Sequence, residues 1–163
     1  MAALAADINV SSVGQPLKLP FSANAADIFY QGAVIWTDTA GGVQATIAAG
    51  DRVAGISPTQ QTVAAAADLV ELYVSGYFWT PLGAAITAAD EGELLIMTAA
   101  GPTDNIADAV SAGDTKVAEI LTDNDAAIGR IKRVTATQML IELGSFTGSL
   151  FVEVGATLAG YWD

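Results

Sequence analysis

The stretch VELYVSGYFWTP, residues 70–81, is the densest concentration of strand-forming residues in this chain. Side chains alternate between apolar and more polar types over residues 70–75, and this period of two predicts a strand with one buried face. Gly76 then interrupts the alternation, three aromatic residues follow, and Pro81 ends the run. An interior Gly before bulky side chains predicts a bulge, beyond which both faces of the strand are covered. We therefore expect residues 70–81 to form the central strand of a mostly β domain.

Short apolar runs separated by turns that contain Gly, Asp or Pro lie on both sides of this stretch. Strands of this length at intervals of about 10 residues are typical of a β-barrel or sandwich. We expect a loop or short helix at 59–68, an extended piece and a turn at 86–92, and a long surface loop at 99–114. The other predicted strands are 28–30, 33–37, 43–47, 52–56, 93–98, 116–121, 127–134, 138–143 and 150–154.

The chain divides into three segments by composition. Residues 1–26 contain Pro16 and Pro20 and only short apolar pieces, and this predicts an extended N-terminal arm that is either mobile or docked on this or a neighbouring subunit. Residues 27–143 hold most of the predicted strands and are interpreted as one compact β-barrel domain. Residues 144–163 form a tail of Gly and aromatic residues, which we expect to pack against this subunit or another.

The composition excludes several classes of chemistry. The 163-residue chain is long enough to bury the core of one domain, and it contains neither Cys nor His. Disulfides, zinc–thiolate sites and nucleophiles paired with His are therefore excluded. No Gly-rich phosphate loop followed by Lys is present.

The charge balance bears on the partners of the protein. The net charge of −12 repels phosphate backbones and anionic lipid heads, so we expect neither nucleic acid nor membrane as a partner. The chain has no apolar run of the ~18 residues that a membrane span needs, and its N-terminus lacks the basic region of a signal peptide. We therefore expect a soluble protein made in the cytoplasm. Because only 15% of the residues are charged and 52% are apolar, we expect partners to cover part of the surface.

Acidic side chains are the only plentiful acid–base groups, and a pair of them in a cleft is the arrangement that glycosidases use. Seven of the twelve Asp residues, however, lie in predicted turns that contain Gly, Asn or Thr, where the carboxylate bonds its own backbone. A calcium loop that begins at Asp123 would need Gly at its sixth position and Glu at its twelfth, and the sequence has neither. The sequence therefore predicts no catalytic residue, no metal site and no cofactor.

Two other groups of residues have the chemistry of binding sites. Arg130, Lys132 and Arg133 lack interleaved aromatic residues, so we expect them to face solvent or to pair with acidic neighbours rather than to bind nucleic acid. The aromatic rings of Trp36, Tyr77 and Trp79 could stack on sugars. Because each lies within an apolar strand, we favour core packing for all three.

A likeness to a known family lies in the order of the motifs. They are GAVI (32–35), ATIAAGDRVAGIS (45–57), VELYVSGYFWTPL (70–82), ITAADEGELLIM (86–97), AAIGRIKRV (126–134) and QMLIEL (138–143). In this order the chain resembles the bacteriophage capsid decoration, or cement, proteins of the β-tulip type and, more distantly, the lambda-type head decoration proteins. The likeness covers about residues 28–143 and leaves the arm and the tail outside it.

The resemblance implies a compact β-tulip fold and a structural, non-enzymatic role on the outer surface of an icosahedral phage head. Its partner would be the major capsid protein, its assembly state a homotrimer, and its function the stabilisation of the head against the pressure of packaged DNA. We expect contacts with the capsid or a neighbouring subunit from six apolar residues of the arm and tail, namely Leu17, Leu19, Phe21, Phe146, Phe151 and Trp162. The alternative interpretation is a head- or tail-borne adhesin that recognises carbohydrate through an exposed aromatic platform.

Overall fold

A computed structural model describes residues 6–38, 41–46, 52–83, 86–97, 110–112 and 126–143, with the backbone alone for residues 96, 97, 110–112, 126 and 127. In these ranges most residues lie in β-strands, and one turn of 3₁₀ helix lies at Ala88–Asp90. The mostly β fold predicted from the sequence is confirmed. None of the described residues belongs to a helix long and apolar enough to cross a bilayer. The strands are β1 (Ser11–Ser22), β2 (Asp27–Phe29), β3 (Val34–Thr37), β4 (Val43–Gln44), β5 (Arg52–Ile56), β6 (Gln61–Val63), β7 (Leu69–Pro81), β8 (Leu94–Met97), β9 (Val110–Ala112), β10 (Ala126–Val134) and β11 (Gln138–Leu143).

The strands form one large sheet and one small sheet. In the large sheet the order is β4-β3-β5-β7-β11-β10-β8-β9, and β1 pairs with β7 beside this path. The small sheet consists of β2 and β6. Adjacent strands in both sheets run antiparallel.

The strand β7 lies at the centre of the large sheet, as the sequence predicts. Along one edge it pairs with β1, from Leu69 to Trp79. Two strands share its other edge: β5 pairs at Tyr73, and β11 pairs from Gly76 to Pro81. The sheet therefore forks along one edge of β7.

The predicted interruption at Gly76 is present. Gly76 has φ +130, a backbone conformation that favours glycine, and a Cβ atom there would lie 3.0 Å from Pro16 of β1. The ring centroids of Tyr73 and Phe78 lie 5.0 Å apart. Residues five positions apart would lie on opposite faces of a regular strand, so the strand changes face between them. The expected cover on both faces beyond Gly76 is wrong for Tyr77, which is 40% exposed.

Two clusters of buried apolar residues lie on opposite faces of β3 and β5. Alternate residues of β3 enter different clusters, since Val34 and Trp36 belong to the first and Ile35 to the second. The sheet curls around the first cluster, because strands from both of its ends contribute to it and β5 contacts β10. The first cluster contains Val34, Trp36, Val53, Ile56, Phe78, Ile86, Leu95, Ile128, Ile131, Met139, Ile141 and Leu143. The second cluster contains Ala23, Phe29, Ala33, Ile35, Val43, Ala45, Ala54, Val63, Val70 and Leu72.

The small sheet covers the second cluster, and one side chain joins it to β7. Nε2 of Gln61 in β6 donates to the carbonyl oxygen of Glu71 at 2.9 Å, and the Glu71 N–H donates to Oε1 of Gln61 at 2.8 Å. The same Nε2 donates to Oγ of the buried Ser57 at 3.0 Å. The amide of Gln61 therefore satisfies the edge of β7 where no strand pairs with it.

The N-terminal segment is extended and lies on its own chain. The Ile8 N–H donates to the carbonyl oxygen of Gln31 at 2.8 Å, the side chains of Ile8 and Val10 pack against the first cluster, and β1 then pairs along β7. The division of the chain at residues 26 and 143 into arm, domain and tail stays a prediction.

The extended piece and turn predicted at 86–92 are present: Thr87 is extended, and the following 3₁₀ turn is held by a reciprocal capping box of Thr87 and Asp90. Two local predictions are wrong. At 59–68 the chain forms β6, because Val63 is buried in the second cluster and pairs with Asp27 of β2. The loop predicted at 99–114 includes β9, which pairs with β8. The strands predicted at 116–121 and 150–154 lie outside the described residues.

The fork at β7 depends on a close approach at Gly55, where a Cβ atom would lie 2.3 Å from the carbonyl oxygen of Tyr73. We expect Gly55→Ala to lower the free energy of unfolding by about 1–3 kcal/mol, because β5 must move away from β7. Ala136→Ser, which adds one atom at an exposed turn, is the control and should change stability by less than about 0.5 kcal/mol. Urea denaturation measures the stability of both variants. Equal midpoints for Gly55→Ala and Ala136→Ser would contradict a close approach of β5 and β7 at Gly55.

Candidate interaction surface

Several acidic side chains of the described residues bond backbone groups of the fold. Asp90 accepts from the Thr87 N–H at 2.6 Å, Glu91 accepts from the Val134 N–H at 2.8 Å, and Asp68 accepts from the loop after β6. No group of three or more Asp or Glu side chains able to hold a metal ion occurs within the described ranges. Asp68, Asp90 and Glu91 therefore hold turns and a strand end in place.

The basic side chains of β10 also bond within the chain. Nζ of Lys132 lies 2.8 Å from Oε2 of Glu142, and the Arg130 guanidinium donates to the carbonyl oxygen of Gly92. Pairing of Lys132 with an acidic neighbour is confirmed. The side chain of Glu142 is only 12% exposed.

The three aromatic residues considered for sugar stacking are in different environments. Trp36 is fully buried in the first cluster, as expected. Tyr77 is exposed and Trp79 half-buried, and the Tyr77 hydroxyl donates to Oε1 of Glu142 at 3.1 Å. The prediction of core packing is therefore wrong for Tyr77. We call the outer surface formed by Val13, Tyr77, Trp79, Leu140 and Glu142 the aromatic face.

Exposed apolar side chains concentrate on β1. Val13 is 48%, Leu17 53% and Leu19 43% exposed. These account for three of the six large apolar side chains exposed among the described residues. Because a soluble protein seldom gathers exposed leucines on one strand, β1 is the first candidate for an interaction surface.

A cleft of about 580 Å³ lies along β1, and we call it the β1 groove. The strand β7 forms its floor, β1 forms one wall, and the ends of β3 and β5 form the other. It continues past Phe21 and Thr37 into a second depression of about 460 Å³, which is also lined by Asp38, Gly41, Gly42 and Val43. The groove is lined by Leu17, Leu19, Phe21, Thr37, Arg52, Val53, Ala54, Val74 and Ser75.

The groove is the solvent-exposed end of the second core cluster. Leu19 pairs with Leu72, and Phe21 pairs with Val70, so the apolar side chains of the β1 wall lie directly beside buried residues of β7. The lining is mostly aliphatic, and Arg52 is the one charged residue among the described residues of the lining. This chemistry fits an apolar segment of polypeptide better than a small polar substrate.

The outer edge of β1 is a poor template for further strands. The N–H and C=O of Glu71 are both taken by Gln61, so the Glu71–Pro20 pair exchanges no backbone hydrogen bond. The nitrogen of Pro20 therefore points away from β7, where it has no proton to donate. Binding at β1 must depend mainly on the side chains of the groove rather than on an extended ladder.

Three of the six predicted contact residues meet at this groove. Leu17 and Leu19 are exposed, and Phe21 is half-buried. Phe146, Phe151 and Trp162 lie outside the described residues. Val74 and Arg52 were missed: the alternation in β7 placed Val74 on an apolar face, but no sequence signal pointed to Arg52.

Comparison with protein-family models, curated proteins and solved structures found no match for this chain.

Leu17 and Leu19 of β1 are exposed, whereas the core residues of the same face are buried. We expect Leu17→Ser combined with Leu19→Ser to lower the free energy of unfolding by less than about 2 kcal/mol for the pair, because neither side chain belongs to the buried core. Leu72→Ala, on the same face but fully buried, should cost about 2–5 kcal/mol. Urea denaturation compares the variants, and an equal loss in both would identify β1 as core rather than as an interaction surface.

Proposed function

We propose that this protein is a structural virion protein that binds the outer surface of a phage capsid and stabilises the head against internal DNA pressure. The observation that carries the proposal is the exposed apolar surface of β1, with the groove beside it. It has the chemistry of a protein-binding surface, and it contains three residues expected to make contacts. The family resemblance of residues 28–143 supplies the identity of the partner, the major capsid protein.

The charge of the molecule supports an outer rather than an inner position. A net charge of −12 is repelled by packaged DNA and leaves association with the shell to apolar and shape-complementary contacts. Because Leu17 and Leu19 are about half exposed, burying the remainder of each against the capsid contributes about 1 kcal/mol. Many copies that each make such contacts would together stabilise the capsid lattice.

The proposed assembly is a homotrimer on the capsid surface. In this arrangement Leu17, Leu19 and Phe21 contact the shell or an adjacent subunit, while Phe146, Phe151 and Trp162 contribute subunit contacts. A small interface on each copy gains strength from trimerisation, because the second and third sites bind at high effective concentration.

The proposal predicts that the protein is present in purified virions at a copy number comparable to that of the major capsid protein. Quantitative mass spectrometry of virions from the source phage measures this ratio. A handful of copies per virion would indicate a fibre or adhesin, and complete absence would refute a virion role.

Binding to heads that lack the protein tests the surface itself. We expect Leu17→Ser with Leu19→Ser to weaken head binding by at least about tenfold, since each decade corresponds to only ~1.4 kcal/mol. Thr62→Ser, an exposed change on β6, is the control and should bind like the wild type. Unchanged occupancy in the double variant, measured by sedimentation with heads, would exclude β1 as the capsid contact.

A second candidate function, carbohydrate binding by an adhesin, is favoured by the aromatic face. The exposed ring of Tyr77 stands beside Glu142 and Lys132, and an aromatic ring flanked by fixed polar groups can stack on a sugar and bind its hydroxyls. If this function holds, Tyr77→Ala should abolish binding on a glycan array and Tyr77→Phe should retain part of it. Absence of any glycan signal from the wild type would eliminate this candidate.

A further inference from the structure

We propose that the β1 groove is the docking site of the C-terminal segment of the same chain, with residues 150–154 lying between β1 and β5. The groove needs an apolar polypeptide occupant, and the path of the chain, its length and its charges all point to this segment. The inference concerns the free protein and does not depend on the capsid.

The described chain ends beside the groove. Leu143, the last residue of β11, pairs with Gly76 of β7. A Cβ atom at Gly76 would approach Pro16, and the next residues on the two strands, Ser75 and Leu17, line the groove. Continuation of β11 along the same edge of β7 is blocked, because β5 takes that edge at Tyr73. The chain must therefore leave the sheet where the groove begins.

The remaining chain has the right length. Residues 144–163 follow Leu143, and residues 144–149 form a linker that can span up to ~20 Å when extended. The five residues 150–154 extend over ~16 Å, and the wall of the groove and its continuation, residues 17–22, extends over about the same distance.

The chemistry of the segment matches the lining. In an extended LFVEV segment, Leu150, Val152 and Val154 share one face, which is aliphatic like the groove. The tail carries the acidic residues Glu153 and Asp163 and no basic residue. Among the described residues that line the groove, Arg52 carries a positive charge and none is acidic, and this balance favours an acidic segment over a basic one.

The segment of the same chain is favoured over that of a second copy because the linker is short. An intramolecular partner on a short linker is present at an effective concentration in the millimolar range. Docking covers Leu17 and Leu19 in the free protein. A further consequence, which rests on the proposed function, is that the capsid must displace the tail from these leucines.

Disulfide trapping in the full chain tests the inference, since the natural sequence has no Cys. We expect Leu19→Cys combined with Val152→Cys to form an intramolecular disulfide, in dilute protein with oxidised glutathione, at least about tenfold faster than Ala89→Cys combined with Val152→Cys. Ala89 is exposed on the 3₁₀ turn, outside the lining of the groove. Equal rates in the two variants would overturn the inference, and so would a product that consists of disulfide-linked dimers, since a second copy would then fill the groove.

Hydrogen exchange on the cysteine-free chain provides an independent readout. Amides of residues 150–154 should exchange at least about tenfold more slowly than in a synthetic peptide of residues 144–163, and Leu17→Ser with Leu19→Ser should remove this protection while that of β10 and β11 persists. Absence of protection in the wild type would overturn the inference. Head binding is measured in a separate experiment. If the tail is trapped in the groove but the protein does not bind heads, the proposed function is refuted and the docking of the tail is not.

Discussion

A strand has two edges, and β7 must pair with three strands. Because β1 occupies one edge over most of its length, β5 and β11 must divide the other between them. The two halves of the sheet diverge at this fork, and their curvature encloses the first core cluster. The positive φ of Gly76 allows the change of face that the divergence requires. The rest of the fold is arranged around this competition for hydrogen bonds.

The fork also creates the surface on which the functional proposal depends. Where β5 and β11 separate, the space above β7 is bounded by β1 on one side and by β3 and β5 on the other, and it stays open. Pro20 prevents the outer edge of β1 from pairing with a long additional strand. Binding at this surface therefore depends on the side chains of the groove. A groove of this kind accepts one short apolar segment, whether from the protein's own tail or from a partner.

The β1 groove and the aromatic face present different chemistries. The groove is aliphatic with Arg52 at its border, whereas the aromatic face combines Tyr77 with the ion pair of Glu142 and Lys132. Since β1 contributes to both, one strand links the two candidate sites. A structural role on a capsid would use the groove, and sugar recognition would use the aromatic face.

Much of the strand layout follows from local patterns in the sequence. The predicted bounds 52–56 and 138–143 agree with β5 and β11, and the interruption at Gly76 is where the aromatic run predicts it, because period-two alternation and glycine conformation are local properties. The strands β6 and β9 were missed because they are held by their partners, β2 and β8, rather than by propensity. The sequence also marked Leu17, Leu19 and Phe21 as contact residues. Only the tertiary structure could show that they share a groove with Val74 and Arg52, because hydrogen bonding between distant strands decides which side chains meet.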